Sequence, residues 1–544
     1  MDFDRDYDYI VIGAGTAGCV LAARLSEQSR NNVCLIEAGG SELHRYIRIP
    51  AAVGAAIMSP RFGWGLSTTP QKALNGRQVP LPRGKVIGGS GSINGMAYYR
   101  GPARDFDDWA AAGNPGWSYA DLLPYFLRSE NNPEFAGSPY HSTNGPMGIS
   151  FPKSRNRLCD DFNDSMASLG YSELKDFNIP DPNGYGYRQG AIFKGKRVST
   201  ASAYLRPAMS RSNLEVRMHS HTRRILFEGT RAVGVEIQTE SGFVRLRAHK
   251  EVVLCAGSYH SPHVLLHSGV GNAKALHPAG ITPVHELPAV GQHLKDHPSA
   301  PIALDADSAP SYGLSWRALP RNVAEIFKYA FARSGALSSN LFETNAYIRF
   351  APDADRPDLQ VVFQPARRNI KPFPVPFGHG YAIAVVNLYP QSEGSVTVSG
   401  PDPLAAPVID LNIGKVEEDL RFLVEGLKFA RRIFTHESFA KYQASERMPG
   451  STVTDDDALL DYVRDNLVTV HHPASSCRMG PAGDNVVDHE LKVHGLDGLR
   501  VADASVFPHL IGANTNAAVV AIGEKAADMI LGIPAPAPLK VPAS

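Results

Sequence analysis

Close to the N-terminus a short apolar run, Tyr9-Ile10-Val11-Ile12, stops at Gly13-Ala14-Gly15-Thr16-Ala17-Gly18. A brief β-branched run ended by glycine reads as a buried strand. The G-x-G-x-x-G spacing then opens a helical stretch over 17–26, and Val33-Cys34-Leu35-Ile36 reads as the next strand. Strand, glycine turn, helix and strand in this order form the βαβ unit of a dinucleotide site. The glycines permit the tight turn, let backbone approach a pyrophosphate and allow helix to pack on strand. The helix N-terminus supplies unpaired N–H groups and a partial positive charge for phosphates. Glu37 ends the second strand, where a carboxylate can accept hydrogen bonds from ribose hydroxyls. The motif by itself does not choose between FAD and NAD.

At 544 residues the chain exceeds what one core usually holds. Alternating runs at 214–218, 224–227, 232–238, 243–248 and 251–255 suggest a meander of short strands leading back to the main sheet. From about residue 299 the texture changes. Runs at 361–364 and 382–388 look like strands of a mixed sheet. Leu420, Leu423, Val424 and Leu427 have helical spacing, with Glu417, Glu418, Arg421 and Lys428 outside. After about residue 467 the glycine- and asparagine-punctuated motifs return. These patterns predict an α/β fold: a Rossmann-like domain assembled from 1–155, 195–298 and 464–538, with an α+β domain from 156–194 and 299–463 built on a mixed or antiparallel sheet.

Lys plus Arg and Asp plus Glu both number 54, so no net charge steers the chain toward nucleic acid or an anionic surface. Cys19, Cys34, Cys159, Cys255 and Cys477 are odd in number and lack C-x-x-C spacing, as expected of free thiols in a reducing compartment. No metal-ligand cluster is expected. Gly13 leaves no room upstream for a signal peptide, and no run approaches the ~20 apolar residues that span a bilayer. The expectation is a soluble, cytoplasmic protein, with peripheral membrane contact and oligomeric state left open.

Two longer stretches choose the nucleotide. Gly84-Lys85-Val86-Ile87-Gly88-Gly89-Ser90-Gly91-Ser92-Ile93-Asn94, followed by Tyr98 and Gly101, and the segment 257–271 (GSYHSPHVLLHSGVG) resemble the two signatures of the glucose–methanol–choline (GMC) oxidoreductases. The segment 290–297 (VGQHLKDH), His472-Pro473 with 477–480 (CRMG), 501–505 (VADAS) and Asn514-Thr515-Asn516 also match family segments, in the family's order, from about Tyr7 to Ile530. The resemblance is nearest to the choline dehydrogenase and primary-alcohol dehydrogenase branch. It implies FAD, held by Gly13, Gly15, Thr16, Ala17, Gly18, Glu37 and Ala38, by Arg83, Gly84, Gly88, Gly89, Ser90, Asn94 and Gly95, and by Ala256, Asp503, Ala504, Asn514 and Thr515. Relatives with covalent flavin carry histidine just before the asparagine of the first signature. Ile93 stands there, so the FAD is expected to be non-covalent.

Oxidising an alcohol requires a base for the hydroxyl proton and a donor for the developing alkoxide. The resemblance implies His472 as general base and Asn514 as its partner. Neighbouring His471 is expected to point away from it, as in an extended segment, and His260, His263, His267 and His297 are read as structural. Ser475 stands where relatives commonly have glycine, Ala518 replaces a common proline, and Gly91 a frequent serine. The implied function is oxidation of a primary alcohol to the aldehyde by hydride transfer to flavin N5. A dehydrogenase passing electrons to a quinone-like acceptor is favoured over an oxidase using O₂. The alternatives are a lyase or photodecarboxylase that keeps FAD without oxidising alcohols, and a non-enzymatic flavin binder. Trp316, Phe342, Phe363, Phe373 and Phe377 are candidate pocket aromatics. The lack of an acidic cluster favours a neutral alcohol over choline.

Overall fold

Hydrophobic alternation is absent from the N-terminal strand because both of its faces are covered. In the computed structural model, which describes residues 1–368 and 377–539, Arg5–Ile12 lies inside a seven-stranded sheet with Ile10, Val11 and Ile12 all buried. Val33–Ile36 and Gly242–Leu254 flank it in parallel. Leu214–Arg217 and Leu499–Val501 extend the parallel block, while Arg231–Thr239 and His221–Glu228 add an antiparallel meander. Helices Thr16–Leu25 and Asn516–Leu531 pack on each other. Arg24 clamps them by donating to both carboxylate oxygens of Glu524, at 2.9 and 2.8 Å, which ties the two ends of the chain into one nucleotide-binding unit.

The runs 243–248 and 251–255 form one strand rather than two. His249 and Lys250 are exposed at a shift of register against Arg5–Ile12, so a bulge absorbs the polar pair that would otherwise end the strand.

The second sheet also has seven strands. Its order is Ser445–Met448, Pro298–Asp305, Gly380–Asn387, Leu359–Gln364, Thr344–Ile348, Gly184–Tyr187, with Val468–Thr469 pairing beside Pro298–Asp305. Every pairing is antiparallel. Helix Glu418–Phe434 covers one face, burying Leu420, Leu423, Val424 and Leu427 and leaving Glu417, Glu418 and Arg421 exposed. Gly426 of this helix faces Val385 and Leu359 closely enough that an added Cβ would lie 3.2 Å from Val385 Cβ. Residues of opposite parity, Gln360, Val362 and Ala384, therefore turn to the other face and line a cavity. The five cysteines are buried and free. No helix of the described residues is long and apolar enough to cross a membrane.

Candidate active site

Between the two sheets lies a cavity of about 520 Å³, lined from both. At its nucleotide end Gly13 has φ +95°, and a Cβ there would lie 2.7 Å from the Cys255 carbonyl oxygen. Gly15, Thr16 and Ala17 line the cavity, as do Glu37 and Ala38. The Glu37 carboxylate accepts from the N–H groups of Ala14 (3.0 Å) and Gly39 (2.8 Å). Burial pushes its carboxyl up to about 7. Gly18 and Gly88, both expected at the cofactor, do not line the cavity. Gly18 lets the helix approach the Gly13 carbonyl, and the Gly88 N–H donates to Ala14 O at 2.6 Å. Both hold the loops together at the edge of the cavity.

Arg83, Gly84, Gly89, Ser90, Asn94 and Gly95 form the adjoining wall. Gly89 has φ +53°, and its missing Cβ would sit 2.9 Å from Gly15 Cα. The two glycine loops therefore lie one against the other, with backbone edges toward the cavity. Asn94 does more than turn the chain. Its Oδ1 accepts from Met96 N (3.0 Å) and from buried Arg197 (2.8 Å), which leaves the Nδ2 amide as the free donor. Ala256, Ala504 and Thr515 also line the cavity. So does Asp503, whose carboxylate takes Gly257 N (2.8 Å), Ser261 Oγ (2.6 Å) and Ser505 N (2.8 Å).

At the opposite end, strand Val468–Thr469 delivers His472 beside Pro298–Asp305. Asn514 Nδ2 donates to His472 Nε2 at 2.9 Å, so the proton of neutral His472 is on Nδ1. Nδ1 lies 3.0 Å from Nδ1 of His297, which accepts it. The Nε2–H of His297 faces the carbonyls of Leu388 and Ile511 without a close bond. The carboxylate of Asp296 takes the backbone N–H of both His297 (2.8 Å) and His472 (2.7 Å). The array sets His472 Nε2 and Asn514 Nδ2 against each other at the cavity wall, so a hydroxyl entering there would take over the Asn514 hydrogen bond and free the Nε2 lone pair to accept its proton. Burial, with His297, Arg83 and His471 nearby, holds His472 well below the usual histidine range. It is neutral, as a proton acceptor must be.

Sequence reasoning set His297 among the structural histidines and passed over Asp296. The only hint was the recurring segment 290–297 that ends on them. His471 also departs from expectation. With φ +65° it turns the chain rather than extending it, so both imidazoles border the cavity. The His471 ring pairs with Thr469 Oγ1 at 3.2 Å, and its carbonyl accepts from Arg83 at 2.7 Å. Of the candidate aromatics, Phe342 lines the cavity, Phe363 is core, Trp316 and Phe377 are exposed, and Phe373 lies outside the described residues.

Ser475 is buried with φ +73° and a hydroxyl that lacks a partner. A left-handed conformation costs a residue with a Cβ about 1–2 kcal/mol, and an unpaired buried hydroxyl adds to that. Glycine loses about 0.5–1 kcal/mol of extra chain entropy on folding. Ser475→Gly is therefore expected to stabilise the holoenzyme by about 1 kcal/mol, read as a higher melting temperature. An unchanged or lower melting temperature would contradict the strain.

Family models described as GMC oxidoreductase match residues 7–299 and 390–523. An alcohol dehydrogenase [acceptor] of Pseudomonas putida is 37% identical over 527 residues, spanning 96% of each chain. An oxygen-dependent choline dehydrogenase of Sinorhizobium fredii is 39% identical over 530 residues, spanning 96% of this chain and 95% of that one. The solved pyridoxine 4-oxidase from Mesorbium loti superposes with a TM-score of 0.86 at 31% identity, covering 96% of this chain and 98% of that chain. GMC oxidoreductases are FAD-binding enzymes that act on CH–OH donors. On matched sequence, fold and length alike, the chain belongs to the GMC oxidoreductase family.

Proposed function

We propose that this chain oxidises a primary alcohol to the aldehyde, with His472 as general base and Asn514 holding the substrate oxygen. The observation that carries the reading is the His472–Asn514 contact at the end of the cavity away from Glu37. FAD, when bound, supplies the hydride acceptor at N5. The residues present fit it: backbone edges at Gly13, Gly15 and Gly89, the Glu37 carboxylate for ribose, and a free Asn94 amide. Segments 1–155, 195–298 and 464–538 would hold FAD, and 156–194 with 299–463 would cover the alcohol. Aliphatic Ile93 offers no atom for a covalent link, so acid precipitation should release the flavin.

As the substrate hydroxyl loses its proton to His472 Nε2, the Asn514 amide donates to the oxygen that becomes negative. His297 fixes the tautomer through Nδ1, and Asp296 fixes the backbone. A dehydrogenase using a quinone-like acceptor is favoured over an oxidase by the resemblance to the primary-alcohol dehydrogenase branch, in which the alcohol dehydrogenase [acceptor] stands at 37% identity beside an oxygen-dependent choline dehydrogenase at 39%. Turnover of one alcohol with a soluble quinone and with O₂ distinguishes them. Anaerobic mixing with primary alcohols tests the reading itself: bleaching of the flavin bands supports it, and no bleaching by any alcohol overturns it.

The pH dependence has a defined sign. A histidine whose folded pKa is depressed carries fewer protons in the folded than in the unfolded state. Its contribution to stability is complete above about 6.5 and declines as pH falls toward the folded value. The lone pair of His472 follows the same direction, being present at neutral pH and lost only on acidification. The rate of flavin reduction at saturating alcohol is expected to be level from pH 8 to below 6.5, with its acid limb further down. An acid limb centred at or above pH 7 would contradict the assignment.

A further inference from the structure

Helix Leu319–Ala332 turns its polar side to the protein and its apolar side to solvent. The side that meets the rest of the molecule is Ala318, Asn322, Glu325 and Tyr329, at the spacing of one helical stripe. Asn322 Nδ2 donates to the Gly313 carbonyl at 3.1 Å, and the Glu325 carboxylate accepts from Ala336 N at 2.7 Å. Ala318 and Tyr329 are buried. The opposite stripe is Leu319, Val323, Ile326, Phe327 and Phe331, every one exposed. Trp316, just before the helix, is 91% exposed, and Phe331 85%. A surface helix ordinarily buries such a stripe, and a contiguous exposed one marks a contact surface.

The charges beside the stripe indicate what covers it. Arg317, Arg321, Lys328 and Arg333 are all exposed. Glu325 is the one acid between Trp316 and Arg333, and it is turned inward, taking Lys328 Nζ at 2.7 Å besides Ala336 N. Among the described residues none of the three arginines forms an ion pair, whereas the chain as a whole has no net charge. A twofold contact with a second copy would set this patch against itself and its cations against like charges. An anionic lipid surface meets them with opposite charge, and their long stems let the heads reach it from beside buried apolar residues. The indole of Trp316 suits the same boundary, with an apolar body and a polar N–H. Fourteen residues make a rod of about 21 Å, too short to cross a bilayer and long enough to lie in its surface.

We propose that Leu319–Ala332, with Trp316, docks this protein on an anionic lipid bilayer as an in-plane helix. The apolar stripe enters the acyl boundary, and Arg317, Arg321, Lys328 and Arg333 stand at the headgroups. The chain returning from the helix leads to the cavity wall, where Asn340 donates to the Gly95 carbonyl at 2.6 Å and Phe342 lines the cavity. Lipid is also where apolar alcohols and quinone-like acceptors dissolve, but the docking stands independently of which alcohol is oxidised.

The experiment is co-sedimentation of the full-length holoenzyme with vesicles of equimolar phosphatidylcholine and phosphatidylglycerol, and with vesicles of phosphatidylcholine alone. Partitioning onto the anionic vesicles is expected to be roughly tenfold stronger or more, and to weaken as salt is raised. Trp316 is exposed while Trp109 and Trp117 are buried, so tryptophan emission should shift to the blue on binding. Trp316→Ser, Phe327→Ser and Phe331→Ser combined should cut partitioning roughly tenfold or more, with bound flavin and its reduction by a water-soluble alcohol unchanged. Arg317→Gln with Lys328→Gln should reduce the preference for anionic vesicles. Wild-type protein that stays in the supernatant, or that binds both vesicle types equally, overturns the proposal. So does binding that the triple variant retains. A solution mass of two chains without lipid, reduced to one chain in the triple variant, would assign the face to a second copy and overturn it as well.

Discussion

Replacing His472 with alanine is expected to slow flavin reduction by alcohol about 10²–10⁴-fold, the usual contribution of a positioned general base, while FAD stays bound. The magnitude follows from what remains. Asn514 can still donate to the substrate oxygen, but the nearest other imidazoles are committed: His297 to its position behind His472, and His471 to Thr469. Neither can take the proton from the same point. The nucleotide end of the cavity, at Gly13, Glu37 and Gly89, is untouched by the change, so the oxidised spectrum should persist. Stopped-flow mixing without oxygen isolates the reductive step from reoxidation. A reduction rate within tenfold of wild type, with bound flavin normal, would remove His472 from the mechanism.

The nucleotide end was legible because its chemistry is contiguous. Strand, glycine turn, helix and Glu37 fall within one short segment, and each has a local physical signal. The His472–Asn514 pair was reachable only through resemblance, since nothing local marks either residue. His297 was hidden because its position 3.0 Å from His472 depends on strand pairing across 175 residues. His471 was misread because the two-fold alternation of a strand was applied at a residue with φ +65°. The antiparallel second sheet was legible as a change of texture, whereas Gly184–Tyr187, four residues of Gly and Tyr, has too little pattern to announce itself.

Gly89→Val is expected to yield protein that has lost most of its FAD. Two costs combine. Valine at φ +53° is strained by at least 1–2 kcal/mol, more for a β-branched side chain. Its Cβ would also stand 2.9 Å from Gly15 Cα, where no flexible side chain can give way. The loop carrying Ser90, Asn94 and Gly95 must then move off the Gly13–Gly18 turn, and the walls that would grip the pyrophosphate and the ring separate. Since each 1.4 kcal/mol is a factor of ten, FAD affinity should fall by roughly 100-fold or more. Gly229→Val provides the comparison. It has φ +59° at the turn after His221–Glu228, with no atom within 4 Å of an added Cβ. That variant carries similar backbone strain and should keep its flavin. Flavin-to-protein ratios after gel filtration decide the matter. Loss in Gly89→Val alone means the packing of the two glycine loops holds the cofactor, and equal retention in both means it does not. Loss in both means that global destabilisation, not the loop contact, governs binding.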